Sequence, residues 1–302
     1  MRIFVAGATG FVGSAVVQEL LAAGHRVLGL ARSDASAKSL LSVGADVHRG
    51  SLEDLDSLQS GAAESDASIH TAFVHDFANF PAAAKIDTLA IETLGEALAG
   101  SNRPLLVTSG TALVAPGRVA TEDDVPDASL AAAWPRRSEE TALAMVSRGV
   151  RASSVRLPPS VHGQGDHGFV PFLIRIAREK GVSAYVGDGF NRWAAVRRLD
   201  AARLYRLALE KGIAGARYHG VGDQGVALRA IAEIIGRRLG VPVVSKSQEE
   251  AEDHFGWLAR FATIDVPASS ARTQELLGWE PTHPNLITDL DHDYYFESAA
   301  VA

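Results

Sequence analysis

The 302-residue chain contains no cysteine. That excludes thiolate nucleophiles, cysteine-ligated zinc, iron–sulfur clusters and CxxC redox pairs. It also lacks a basic excess: 29 Lys and Arg against 36 Asp and Glu leave a formal charge of −7, and no segment gathers the cationic density of a nucleic-acid-binding face. Long apolar runs are absent, none approaching the roughly 18 residues of a membrane span. The opening Met-Arg-Ile-Phe-Val-Ala-Gly offers about five apolar residues where a signal peptide needs about 7–15. The expectation is a soluble, cytoplasmic protein with no nucleic-acid or membrane partner. Three catalytic signatures are missing too, GxSxG, GxxxxGK[ST] and HExxH, which sets aside hydrolase, phosphate-loop kinase and zincin chemistry.

What is there begins with an alternation. Short apolar, β-branched runs at residues 3–6, 26–31, 46–48, 67–71 and 105–108 are separated by segments of helical period, notably 11–23 (Val12, Val16, Val17, Leu20) and 86–99 (Ile86, Leu89, Leu94, Leu98). This is the pattern of a parallel sheet covered by helices on both faces, an α/β doubly wound fold. A further strand is predicted at 151–156, stopped by Leu157-Pro158-Pro159. Beyond residue 160 the alternation loosens and Gly-rich turns and aromatics fill 161–193, which predicts a smaller C-terminal α/β lobe for substrate. Residues 1–160 then form the first domain and 161–302 mainly the second, with some segments around 195–222 returning to the first. No Pro/Ser/Gly linker separates them, so they are expected to close over a cleft. Phe73, Phe77, Phe80, Trp134, Phe169, Phe172, Tyr185 and Trp193 fall on segments expected to border it, which suits a small apolar substrate.

The strongest motif is Gly7-Ala8-Thr9-Gly10-Phe11-Val12-Gly13, placed between the first strand and the first helix. Gly7 permits the tight turn, Gly10 lets backbone N–H groups approach a pyrophosphate, and Gly13 lets the helix pack close to the sheet. A dinucleotide would rest its pyrophosphate on the helix N-terminus. The second strand ends Leu30-Ala31-Arg32-Ser33-Asp34. A neutral Ala31 followed by Arg32, whose guanidinium can fork a phosphate, and by Ser33, favours NADP(H) over NAD(H). The other reading makes Arg32 a solvated charge and gives the ribose to Asp34.

With these residues in view the chain resembles the short-chain dehydrogenase/reductase superfamily, in its extended and atypical branches that include NAD(P)-dependent epimerases and dehydratases. Besides the glycine motif the likeness rests on Gly50-Ser51-Leu52-Glu53-Asp54, Asp66-Ala67-Ser68-Ile69-His70-Thr71-Ala72, Val107-Thr108-Ser109-Gly110-Thr111, Val155-Arg156-Leu157-Pro158-Pro159-Ser160-Val161-His162-Gly163, Gly187-Asp188-Gly189 and Leu276-Leu277-Gly278-Trp279-Glu280-Pro281. It implies a Rossmann domain carrying the cofactor, with Ser51, Leu52, Ala72, Phe73, Ser109, Pro158 and Pro159 lining it. It also implies Thr111 in the place of the catalytic Ser/Thr. Asp87 falls where Asn is usual, either holding a water chain or a substrate cation, or serving as a helix surface charge. Homodimers through the helices at 86–99 and 137–148 are a further implication.

The likeness breaks at the chemistry. The superfamily's Tyr, with a Lys four residues on, donates the proton that accompanies hydride transfer. Here Tyr185, Tyr205, Tyr218, Tyr294 and Tyr295 are followed four positions on by Gly189, Leu209, Gly222, Ser298 and Ala299. Matching the family pattern puts Ala131 or Ala132 at the Tyr and Pro135 or Arg136 at the Lys, and Arg136 retains a role on the nicotinamide ribose. Substitute acids are His162 and Tyr185. His162 is otherwise a structural histidine, Tyr185 a packing residue, and His75-Asp76 a solvated loop. A metal held by His162, Asp166 and His167 lacks ligand spacing and a fourth donor, so no metal is expected. The leading expectation is an NADPH-dependent reductase of a small apolar carbonyl or imine-type substrate. The alternatives are an NAD(P)-dependent epimerase or dehydratase, and a non-catalytic NADP(H)-sensing regulator.

Overall fold

The computed structural model describes residues 1–76, 79–112, 114–126 and 136–297. Seven parallel strands form the main sheet: β1 (Arg2–Ala6), β2 (Arg26–Ala31), β3 (Asp46–Arg49), β4 (Ala67–His70), β5 (Pro104–Gly110), β6 (Arg151–Leu157) and β10 (Arg217–His219), in the spatial order β10-β6-β5-β4-β1-β2-β3. Strand order reverses at β1, which pairs with β2 on one side and β4 on the other. In an open parallel sheet ligands bind outside the carboxyl ends of the strands at such a switch point.

Both sheet faces are covered, which is why these strands read as continuous apolar runs. On one face α1 (Phe11–Ala22), α2 (Asp34–Ser42) and α7 (Arg198–Lys211) bury Val16, Leu20, Leu40 and Tyr205 against Ile3, Val5 and Ile69. On the other, α3 (Leu55–Ala63), α4 (Phe80–Leu98) and α5 (Ser138–Ala144) bury Leu58, Ile91, Leu94 and Ala142 against Phe4, Leu105 and Val107. Helix α4 begins six residues before the apolar period suggests, because Pro81 occupies the first turn, where its missing N–H costs nothing, and three alanines extend it.

After β6 the chain builds a second core. β7 (Ser160–His162), β9 (Arg192–Arg197) and β11 (Asp223–Ala227) form a three-stranded sheet; β8 (Ser183–Val186) and β12 (Val243–Lys246) form a parallel pair. Helices α6 (Phe169–Lys180) and α8 (Leu228–Leu239) pack on them through Val170, Ile174, Ile231 and Ile235. Several aromatics expected at the cleft are part of this core. The rings of Phe169 and Phe261 are 4.6 Å apart, and Trp193 is fully buried with its indole N–H donating to the Phe261 carbonyl at 2.9 Å. Aromatic residue type does not separate a core from a pocket wall. Phe77 and Trp134 lie outside the described residues. Among the described residues no helix is long and apolar enough to cross a membrane.

Candidate active site

The glycine-rich turn joins β1 to α1, and two of its glycines are required by space. Gly7 has φ +87°, and a Cβ there would sit 2.6 Å from the Ala72 nitrogen. A Cβ on Gly13 would lie 2.0 Å from the Gly7 carbonyl oxygen. Gly10 is different: it caps α1 in extended conformation, and its Cβ would meet only the Gly7 oxygen, at 3.3 Å. Thr9 and Gly10 are exposed and Phe11 and Val12 half-buried. The first turn of α1 carries no acidic residue and no side-chain cap, so its N–H groups face an open approach at the positive end of the helix dipole. The Thr71 hydroxyl donates to the Ala6 carbonyl at 3.0 Å and locks the ends of β1 and β4 together beneath the turn. These residues fit the pyrophosphate of a dinucleotide.

At the end of β2, Arg32 is exposed and forms no ion pair among the described residues. The carboxylate that competes for this position is engaged: Asp34 accepts from Arg49, at the end of β3, at 2.5 Å. The Ser33 hydroxyl accepts the Ser36 N–H at 3.1 Å and caps α2. Ser51 accepts the Glu53 N–H at 3.3 Å, and Leu52 packs on the core beside them.

Between β4 and β5 lies a buried polar array. His70, the last residue of β4, and Asp87, on α4, are both buried, with His70 Nε2 and Asp87 Oδ1 2.9 Å apart. The other carboxylate oxygen accepts the Ser138 hydroxyl at 2.5 Å. Arg136 donates from Nε to Ser138 at 2.8 Å and from Nη2 to the Thr108 carbonyl at 3.1 Å, and its guanidinium lies 4.2 Å from the ring centre of Phe73. Burial pushes the Asp87 carboxyl up, but the His70 hydrogen bond, the Arg136 charge and the Ser138 hydrogen bond outweigh it, and its pKa ends below the ordinary value. Asp87 is therefore an ionised group inside the protein and not a helix surface charge. It orients Arg136 from behind. Thr108 also meets the hydroxyl of fully buried Tyr205 at 2.6 Å.

Thr111 follows β5 directly, and its N–H donates to the Leu157 carbonyl at 3.0 Å, which sets it beside Pro158 and Pro159 at the end of β6. The Thr111 hydroxyl is buried yet has no hydrogen-bond partner among the described residues. A buried hydroxyl is rarely left so unless something else completes it. Ser109, one strand turn earlier, pairs in register with Arg156.

The two substitute acids lie on β7 and β8. His162 is fully buried, its Nδ1 2.8 Å from Asp289, and burial lowers its pKa to about 4. Tyr185 packs in the second lobe under Gly189, with the Arg229 guanidinium 5.4 Å from its ring centre. Asp166 accepts the Gly168 N–H at 2.7 Å and the Tyr295 hydroxyl at 3.2 Å. The residues the sequence reading missed are His70, Ser138 and Tyr205. Of these only His70 carried a signal, a polar residue ending a buried parallel strand next to the switch point.

Comparison with known proteins places these features in context. The model of the NAD dependent epimerase/dehydratase family matches residues 3–220. An uncharacterized protein of Schizosaccharomyces pombe is 52% identical over 299 residues, covering 98% of this chain and 100% of its own length. A more distant relative, the 4-hydroxy-2-methyl-3-oxo-4-farnesyl-3,4-dihydroquinoline-1-oxide ketoreductase of Stigmatella aurantiaca, is 26% identical over 296 residues, 93% of this chain and 88% of its own. Among solved structures, a dTDP-glucose 4,6-dehydratase from Streptomyces venezuelae superimposes with a TM-score of 0.77 at 21% identity, over 98% of this chain and 97% of that one.

Proposed function

Because the chain belongs to the NAD dependent epimerase/dehydratase family, we propose that it works as an NADPH-dependent reductase of a small, largely apolar carbonyl or imine-type substrate. The observation that carries this reading is the end of β2, where Arg32 is unpaired while Asp34 is held by Arg49. A 2′-phosphate finds a guanidinium there and no free carboxylate to repel it. The α1 turn takes the pyrophosphate, and Ala72, Phe73, Ser109, Pro158 and Pro159 border the nicotinamide end.

NADPH, when bound, supplies a hydride, and with one proton it converts C=O to CH–OH, or C=N to CH–NH, leaving NADP⁺. The chain supplies orientation and polarisation. Thr111 offers an uncommitted hydroxyl to donate to the substrate oxygen or nitrogen. Arg136, anchored by Ser138 and Asp87, presents a fixed positive charge where negative charge develops. It cannot give up a proton, so the proton that accompanies hydride addition to a neutral C=O or C=N comes from solvent. The ketoreductase relative acts in the same sense.

A second reading, epimerase or dehydratase, is favoured by the family name itself. Those reactions begin by removing a proton, and the tyrosines are committed elsewhere: Tyr205 to Thr108, Tyr218 to the Ile213 N–H, Tyr294 and Tyr295 to Asp289 and Asp166, and Tyr185 to packing. The test is NADPH oxidation against apolar ketones, cyclic imines and enones, with NADPH and NADH titrated on the same preparation. Turnover of any class establishes the reductase. Tight binding without turnover across the panel, followed by interconversion of a sugar nucleotide, would give the function to the second reading.

A further inference from the structure

Arg198 stands where three effects oppose a cation. It is the first residue of α7, at the positive end of that helix; its chain neighbour Arg197 is also cationic; and it is half-buried. Burial and Arg197 together pull its pKa below the ordinary value. Arg197 is provided for, by an ion pair with buried Asp289 and by the Tyr294 hydroxyl at 3.1 Å. Arg198 has no carboxylate within ion-pair distance among the described residues. What it has is an aromatic ring: its guanidinium lies 4.8 Å from the centre of Phe11. A cation–π contact contributes about 0.5–1 kcal/mol at a partly exposed site, which is small against the cost of holding an uncompensated guanidinium there.

The position of Phe11 gives the contact its meaning. Phe11 opens α1 on the glycine-rich turn, and α7 packs along α1 on the same face of the sheet, so Arg198, at the start of α7, is brought beside that turn. His167 closes the same ring edge-on at 5.6 Å. We infer that Arg198 is a phosphate ligand of the cofactor, stacked on Phe11 and poised over the pyrophosphate, so that the dinucleotide is held between the N–H groups of α1 below and a guanidinium above. The inference rests on the dinucleotide reading of the turn. It assigns Arg198 to the diphosphate shared by NADPH and NADH, whereas Arg32 serves the 2′-phosphate that NADPH alone carries.

The experiment titrates NADPH, NADH and adenosine 2′-monophosphate against the full chain and against Arg198→Met, Arg198→Lys and Arg32→Asp. A charge-assisted hydrogen bond is equivalent to a tenfold to hundredfold change in Kd, roughly. Arg198→Met is expected to weaken NADPH and NADH by that factor alike and to leave adenosine 2′-monophosphate, which has no pyrophosphate, within twofold. Arg198→Lys recovers part of the loss by keeping the charge without the fork. Arg198→Met and Arg198→Lys both binding NADPH and NADH as the parent does, or Arg198→Met weakening adenosine 2′-monophosphate equally, would overturn the assignment. A parent protein that binds neither dinucleotide would instead remove the reading beneath it.

Discussion

Nε2 of His70 lies 2.9 Å from Oδ1 of Asp87, and neither side chain is more than marginally exposed. The pair ties the end of β4 to α4 directly behind Arg136, and the second Asp87 oxygen takes the Ser138 hydroxyl that also receives Arg136. One buried carboxylate thus fixes a strand end, a helix and the Arg136 guanidinium.

Asp87→Ala should accordingly damage both stability and catalysis. It leaves His70 and Ser138 without their acceptor and Arg136 without its counter-charge, a loss on the order of 3 kcal/mol for breaking a buried pair, read as a lower urea midpoint. Asp87→Asn, which keeps the shape but not the charge, should retain most of the fold while lowering kcat. The folded pKa of Asp87 is depressed, so its contribution is present above the ordinary carboxylate pKa and is lost as pH falls through the folded value. An Asp87→Ala protein as stable as the parent at neutral pH would show that the array is incidental.

The glycine turn separates fold from binding. Gly13→Ala would place a Cβ 2.0 Å from the Gly7 carbonyl, so α1 must move off the sheet, and this protein should express poorly or melt well below the parent. Gly10→Val meets only a 3.3 Å contact. It should cost the fold about 1 kcal/mol, the scale of a poor helix cap, yet abolish binding of both dinucleotides by covering the N–H groups of α1. Unaltered binding by a folded Gly10→Val protein would move the pyrophosphate off this turn.

What the sequence disclosed and what it hid divide by range. The glycine turn, the Arg32 end of β2 and the alternation of strands and helices were legible because each depends on neighbours in the chain, through backbone space, helix period and strand burial. The site array was not. His70 and Asp87 are 17 residues apart, Asp87 and Ser138 are 51, and Thr108 and Tyr205 are 97. The pairing of β4 with β5 and the packing of α4, α5 and α7 against them bring these residues together, and no local period carries that information. The sequence left Asp87 open between a site role and a surface charge for the same reason: a charged residue on a helix is normally solvated, and the partners that admit it to the interior come from β4 and α5. His162 and Asp289, 127 positions apart, repeat the lesson in the second core.

Arg32→Asp tests the cofactor choice. It removes the free guanidinium at the end of β2 and puts a second carboxylate beside Asp34, so NADPH should weaken by at least about tenfold, the scale of one charge-assisted contact, while NADH changes little or improves. Titration of both on one preparation decides it. Equal losses would return the position to a general structural role.

Two groups of the second core give opposite pH signatures that substitution can separate. His162 is held neutral, its pKa lowered to about 4 by burial. Between pH 6.5 and 4 the unfolded chain binds a proton at this residue that the folded chain refuses, so its contribution is full above pH 6.5 and fades as pH falls, by roughly 3 kcal/mol in all. Asp166 runs the other way. Burial raises its pKa to about 6, so the folded chain keeps a proton that the unfolded chain has released, and that contribution is full below the ordinary value of 3.8 and is lost as pH rises to 6. In the parent the two slopes oppose each other. Asp166→Asn should expose the His162 slope, with stability rising steadily from pH 4 to 6.5, and His162→Gln should expose the Asp166 slope, with stability falling from pH 4 to 6. Urea midpoints for the three proteins at pH 4, 5, 6 and 7 measure both. Parallel curves for the two variants would mean that neither group's pKa differs between the folded and the unfolded chain, and would overturn both assignments.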